Sequence, residues 1–210
     1  MIKLSKGPEP DVLIRNRARW TQELLSAIAA GDMDLATKTT KKYNHPDVKD
    51  ALKVETNGKC AYCDAKVTDV SHGDIEHVTP KSNARERTFD WDNLTFACQI
   101  CNQYKSNKLG ILDPYNEDPN ENIFFAAAFL KGRTHLGQVT VLELKLNRPS
   151  LIEGRNREIE RYANEIEKIF LLGDDRTRTL MLNGLVEDLG TRKPEFVATC
   201  LSIISHYFDI

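Results

Sequence analysis

The stretch CAYCDAKVTDVSHGDIEHVTPKSNARERTFDWDNLTFACQICNQYKSNKLG, residues 60–110, starts on one Cys-x-x-Cys and carries a second near its end. Cys60 and Cys63 form the first pair and Cys98 and Cys101 the second, with a gap of 34 residues between the pairs. Within each pair the spacing lets both sulfurs reach one metal from a tight turn. Four thiolates complete a tetrahedral shell with no position left open for a substrate, so the expected site is structural zinc rather than a redox dithiol. The intervening segment is polar and turn-rich, too poor in apolar residues to hold together without such a staple. The fifth cysteine, Cys200, falls among Phe196, Val197 and Ile204 and reads as a core thiol. An odd count argues against a disulfide framework and for a reducing compartment.

Between the cysteine pairs stands DIEHVTPK, residues 74–81, on a strand-like piece, then WDNL at 91–94; NQYK at 102–105 follows the last cysteine. Phosphodiester hydrolysis needs a base for water and a cation to absorb charge on the phosphate. His77 can be that base, and Glu76 and Asn102 can offer oxygens to a hard divalent ion. Asn102 can equally cap the helix expected from Cys98, and Asn93 suits a role bonding backbone across its loop. Lys81, Arg85, Arg87, Lys105 and Lys108 surround the motif, each readable as a phosphate contact or as a solvated surface charge. His72 reads as an exposed loop residue, His45, His135 and His206 as structural, and Trp20 and Trp91 as packing anchors.

In CAYC, IEHVTPKS, WDNLTFAC and CQICNQYKSNKLG the chain resembles the HNH, or ββα-metal, endonucleases of the four-cysteine type, over about a quarter of its length. That resemblance implies His77 as general base, Asn93 as the group that orients it, and Glu76 with Asn102 as holders of a catalytic Mg²⁺ or Mn²⁺. It also puts Lys105 at a motif position, which makes it the leading nucleic-acid contact of the five; Lys81 and Lys108 are the further candidates by their nearness to the motif. Many such enzymes carry Asp where Glu76 stands. The proline-containing N-terminus and LNRP at 146–149 extend the likeness to the PtuB-type nucleases of Septu and retron-associated antiphage defence. This wider likeness implies a PtuA-type ATPase partner of the SMC or ABC kind, and in some systems a retron reverse transcriptase with its DNA.

Outward from this module, the expected architecture is mainly α with a small α+β insert, a zinc-braced ββα finger flanked by helices. Residues 1–11 read as an extended docking arm that adds little to a core, 12–57 as helices, 58–112 as the nuclease module, and 113–210 as a mostly helical region with a short strand-like segment. Helices are expected at Val12–Ala30, Asp32–Tyr43, Pro46–Glu55, Glu153–Leu172, Arg176–Leu189 and Pro194–Phe208. Strands are expected at Ala65–Val67 and Asp74–Val78. IFF near 123 reads as strand, and VTVLEL at 139–144 fits strand and helix equally.

The chain has 210 residues, 40% of them hydrophobic, and its longest uncharged apolar run, Ile123–Leu130, is far short of a membrane span. The N-terminus lacks the features of a secretory signal, so a cytoplasmic protein is expected. Net charge is −2 with a pI near 6.2, which argues against a free-standing protein that grips nucleic acid through a large basic surface. The charge is uneven, with residues 1–59 carrying 11 Lys and Arg against 8 acids, net +3. Substrate delivery by a partner is therefore expected. DNA is the leading substrate, structured RNA such as tRNA fits the same chemistry, and a non-catalytic zinc-braced adaptor is the alternative of a different class.

Overall fold

A computed structural model describes residues 1–69 and 71–208, with side chains in the last helix described as far as Ile204; the side chain of His206 lies outside the described residues. Helix α1 (Asp11–Ala29) buries Leu13, Trp20, Leu24 and Ala27 at helical spacing. It stops before Gly31, whose φ of +73° suits the left-handed C-terminal cap. The Asp32 side chain accepts from Leu35 N and starts α2 (Met33–Thr40). This helix ends three residues earlier than its sequence suggests. Thr40 bonds back to the Ala36 carbonyl and the chain tightens into a 3₁₀ turn over Lys41–Tyr43. Pro46 opens α3 (Pro46–Glu55) as expected.

The central module is β1 (Asp74–His77), β2 (Leu94–Ala97) and α4 (Gln99–Lys105). The strands pair antiparallel with Glu76 opposite Thr95 and His77 opposite Leu94. Gly73, at φ +59°, enters β1 with Phe96 against it, where a Cβ would lie 2.3 Å from the ring. Only a glycine fits there. The expected strand at Ala65–Val67 is reduced to one bridge between Lys59 and Lys66. The chain there is spent on closing the first cysteine turn, with Cys60 N bonded to Ala65 O and Asp64 at φ +64°.

Beyond the module come α5 (Pro119–Asn122), β3 (Ile123–Ala126) paired antiparallel with β4 (Phe129–Gly132), α6 (His135–Glu143), α7 (Pro149–Phe170), α8 (Asp175–Gly190) and α9 (Val197–Phe208). The ambiguous VTVLEL segment is helical, because Thr134 caps α6 by accepting from Gly137 N. Helix α7 begins at Pro149, four residues before the expected start, with the proline in the first turn, where its missing N–H costs nothing.

One apolar core joins α1–α3, the cysteine turns, β1–β2, β3–β4 and the start of α7, so the module is embedded rather than appended. A smaller core of Tyr162, Ile166, Leu189, Val197, Cys200 and Ile204 unites α7, α8 and α9. Cys200 is fully buried in it, and burial pushes its thiol up to about 12.

The N-terminal arm departs most from its sequence reading. Met1 and Leu4 are buried in the protein's own surface, and Leu4 N bonds to Pro114 O. Lys6 Nζ sits 3.8 Å from the Trp91 ring centroid and donates to Glu55 Oε1 (3.1 Å) and Leu94 O (2.9 Å), while the Trp91 indole donates to Gly7 O. The attachment is polar and cation–π in character, which an apolar-residue reading misses. No helix among the described residues is long and apolar enough to cross a membrane.

Candidate active site and zinc centre

The four cysteine sulfurs lie within 4.8 Å of one another, with Cys63 and Cys98 at 3.9 Å. Cys60, Cys63 and Cys101 are buried and Cys98 is partly so. Four converging thiolates and no carboxylate or imidazole are the donor set of a closed zinc site. The surrounding charge fits as well, since a tetrathiolate zinc site is doubly negative and two arginines face it. Arg148 places both terminal nitrogens 3.6 Å from Cys101 Sγ, and one of them 4.0 Å from Cys98 Sγ. Arg155, 1% exposed, donates to Ala128 O and Leu146 O, and its chief favourable charge is Cys63.

LNRP thereby acquires roles that sequence alone does not assign. Asn147 pairs with both backbone groups of Leu130, Arg148 meets the thiolates, and Pro149 starts α7. Arg148→Ala should speed zinc loss to a colorimetric chelator by about tenfold or more, and Arg148→Lys should recover part of it. Equal release rates in all three proteins would show that the contact does not hold the metal.

Side chains of β1 alternate. Asp74 and Glu76 turn to α4, where Asp74 Oδ2 accepts from Asn102 Nδ2 (2.9 Å) and Glu76 Oε1 accepts from Lys105 Nζ (2.8 Å). His77 turns the other way, edge-on to Tyr43 with ring centroids 4.5 Å apart, its Nε2 2.9 Å from Thr88 O. A carbonyl only accepts, so Nε2 carries the proton, and in the neutral ring Nδ1 is the bare, basic nitrogen. Burial, aided by the nearby Lys81 charge, pushes the His77 pKa down to about 3. The ring is therefore neutral at physiological pH. With the folded value below the unfolded one of about 6.5, His77 leaves stability intact above pH 6.5 and erodes it as pH falls towards about 3. A thermal midpoint that falls less between pH 7 and 5 in His77→Asn than in the wild type would check this.

Glu76, His77 and Asn102 line a single open hollow of about 350 Å³ together with Tyr43, Lys81 and Arg85. Glu76 is 7% exposed, and burial raises its pKa against the opposing pull of Lys105. Asn93 is fully buried and does not touch the His77 ring. Its Oδ1 accepts from Thr79 N, and its Nδ2 donates to Thr79 O and Arg87 O. It clamps the loop whose end carries Thr88, and through that carbonyl it positions His77.

The structure corrects the reading of Lys105. It is 1% exposed and also donates to His77 O at 2.7 Å, so it is an internal strut between α4 and β1 rather than a surface phosphate contact. Removing one partner of a buried pair costs about 3–5 kcal/mol. Lys105→Ala should lower stability by that much in urea, whereas a purely ligand-contacting lysine would leave the midpoint unmoved. Lys108 is half-exposed and paired with Glu143, Lys81 donates to the Tyr43 hydroxyl, and Arg87 donates to Thr79 Oγ1. His72 and His135 are exposed, and His45 accepts from Asp47 N at the start of α3. Period-two alternation along β1 was the available signal for Asp74. Nothing in the sequence pointed to Tyr43 or Thr88.

Residues 60–108 match the HNH endonuclease family model. They form an HNH endonuclease domain. The chain as a whole is 27% identical over 226 residues to the Septu protein PtuB of Bacillus thuringiensis, an alignment spanning all of this chain and 84% of that protein. It is 26% identical over 253 residues to the Septu protein PtuB of Bacillus mycoides (strain KBAB4), spanning 99% and 82% respectively. No solved structure matches significantly. The matched span includes the four paired cysteines, Glu76, His77, Asn93, Asn102, Lys105 and Lys108. Tyr43, Arg148 and Arg155 belong to flanking elements outside the HNH match.

Proposed function

We propose that this protein is the nuclease of a Septu-type antiphage defence pair, cutting phosphodiester bonds, with DNA as its leading substrate. The observation that carries the reading is a neutral His77, fixed by Thr88 O, sharing one hollow with Glu76 and Asn102 inside an HNH domain. His77 Nδ1 takes the proton of a water aligned with the scissile phosphorus. The water oxygen bonds to phosphorus, the bond to the 3′ oxygen breaks, that oxygen takes a proton from solvent water, and the products carry a 5′-phosphate and a 3′-hydroxyl.

Glu76 and Asn102 are the residues that would hold a divalent ion, Mg²⁺ or Mn²⁺. The donor set fits. Asn102 spends its amide N–H on Asp74, so its oxygen is left to accept, and Glu76 adds a carboxylate at the same hollow. Such an ion, when bound, stabilises negative charge on the phosphate and leaving oxygen. The chain's own residues do the rest: Lys105 and Asp74 hold the two oxygen donors in place, and Asn93 and Thr88 hold the base.

A partner ATPase of the PtuA type accounts for a nuclease whose own net charge is negative. Incubating the protein, alone and copurified with that partner, with labelled DNA and labelled tRNA in Mg²⁺ or Mn²⁺ tests the reading. Cleavage of DNA ahead of tRNA supports it. Preferential cutting of tRNA would move the substrate to RNA, and no cutting of either, with identical results for Glu76→Ala/His77→Ala in phage challenge, would leave an adaptor.

A further inference from the structure

A second hollow, of about 420 Å³, lies between α1 and α2 and shares Tyr43, Lys81 and Arg85 with the hollow that holds His77. Its floor is apolar, with Leu24 and Ala36 buried beneath Ile28, which is 36% exposed, and Met33, which is 62% exposed. Its rim is cationic, formed by Lys41, Lys81 and Arg85. Among the described residues lining the two hollows Glu76 is the sole acid, and Lys105 engages its Oε1.

An apolar slot with a cationic lip is what a nucleotide offers a match to, a flat base beside a negatively charged backbone. Tyr43 is the wall between the hollows. Its ring stands nearly perpendicular to that of His77, and its hydroxyl accepts from Lys81. A chain of phosphates passing His77 would therefore meet Lys81 and Arg85 next, and then Lys41. Lys41 and the walls of the groove from α1 and α2 belong to residues 1–59, whose net charge is +3.

Resting on the nuclease reading above, we propose that the α1–α2 groove is a second subsite, which holds an unstacked base of the substrate strand adjoining the phosphate cut at His77. A protein segment is the other occupant an apolar groove can take. The cationic lip, which has no carboxylate ion-pair partner among the described residues, and the continuity with the hydrolytic hollow favour nucleic acid.

The test uses the full chain with its partner and two labelled probes, a DNA hairpin and an RNA hairpin of the same sequence. Met33→Glu and Lys41→Glu alter exposed residues and so should fold as the wild type does. Each should raise KM by about tenfold, the loss of a stacked base or a phosphate contact, with kcat within about twofold. Met181→Glu, at another exposed methionine far along the chain on α8, should change neither.

Unchanged KM with intact cleavage overturns the subsite and leaves the nuclease reading standing. Unchanged KM together with loss of the copurifying partner also overturns it, in favour of a protein-docking face. If the wild type cuts neither hairpin, the nuclease reading fails on its own. Fluorescence anisotropy of the uncut hairpins with wild type and Met33→Glu then decides the groove: about tenfold weaker binding by the variant supports it, and equal binding overturns it.

Discussion

Replacing His77 with alanine should slow phosphodiester cleavage by about 10²–10⁴-fold, the range over which a positioned base contributes, while zinc content stays at the wild-type level. The two effects separate because the residue and the metal frame are held by different contacts. His77 is fixed by Thr88 O and by the Tyr43 ring, and neither contact involves any of the four cysteines that converge on the metal position. Truncation leaves a cavity beside Tyr43, so some loss of stability is expected too. His77→Asn fills more of that space, lacks a basic ring nitrogen, and should be equally slow with a smaller stability loss. Single-turnover cleavage, metal analysis and urea unfolding of both variants read the three quantities separately. Wild-type rates in both variants would remove His77 from the mechanism.

Stripping the zinc should have the larger structural effect. Binding a structural zinc contributes about 10–16 kcal/mol of apparent free energy in small metal-folded domains, comparable to or greater than the whole stability of an ordinary domain. A two-stranded sheet of four-residue strands cannot supply that by itself. Cys60, Cys63 and Cys101 belong to the main apolar core with Leu13, Trp20, Val48 and Leu52. Cys60→Ser or chelation should therefore melt α1–α3 along with the HNH domain in one cooperative transition. The α7–α9 cluster has its own core. Hydrogen exchange after zinc removal should show protection lost across residues 11–105 and retained better in α7 and α9. Loss confined to the two cysteine turns would mean that the core stands without its metal.

Much of the chemistry was legible because it is written in short-range patterns. Cysteine pairs at fixed spacing announce a metal, and Glu76-His77 followed by Pro80-Lys81 lies on one strand and its exit. Helix boundaries were legible where a side chain or proline marks them, as at Asp32 and Pro46, and less so where α2 ends early at Thr40 or a proline begins a helix early, as at Pro149. Contacts that join distant parts of the chain were not legible. Lys105 looked like one more surface cation, and only the fold shows that it lies under Glu76. Tyr43 is 34 residues from His77 and Arg148 is 47 from Cys101, and no local pattern binds either pair. The apolar content of residues 1–10 gave no hint that Lys6 would seat itself against Trp91.

The arm around Lys6 also orders events in time. Its hold on Leu94, the residue opposite His77, spans 88 positions, and Arg192 reaches Lys3 O across 189. Closing such wide loops is entropically slow compared with forming helices. The strand pair that carries Glu76 and His77 is thus braced by contacts among the last to form during folding, and a partly folded chain has Glu76, His77 and Asn102 present but not yet aligned.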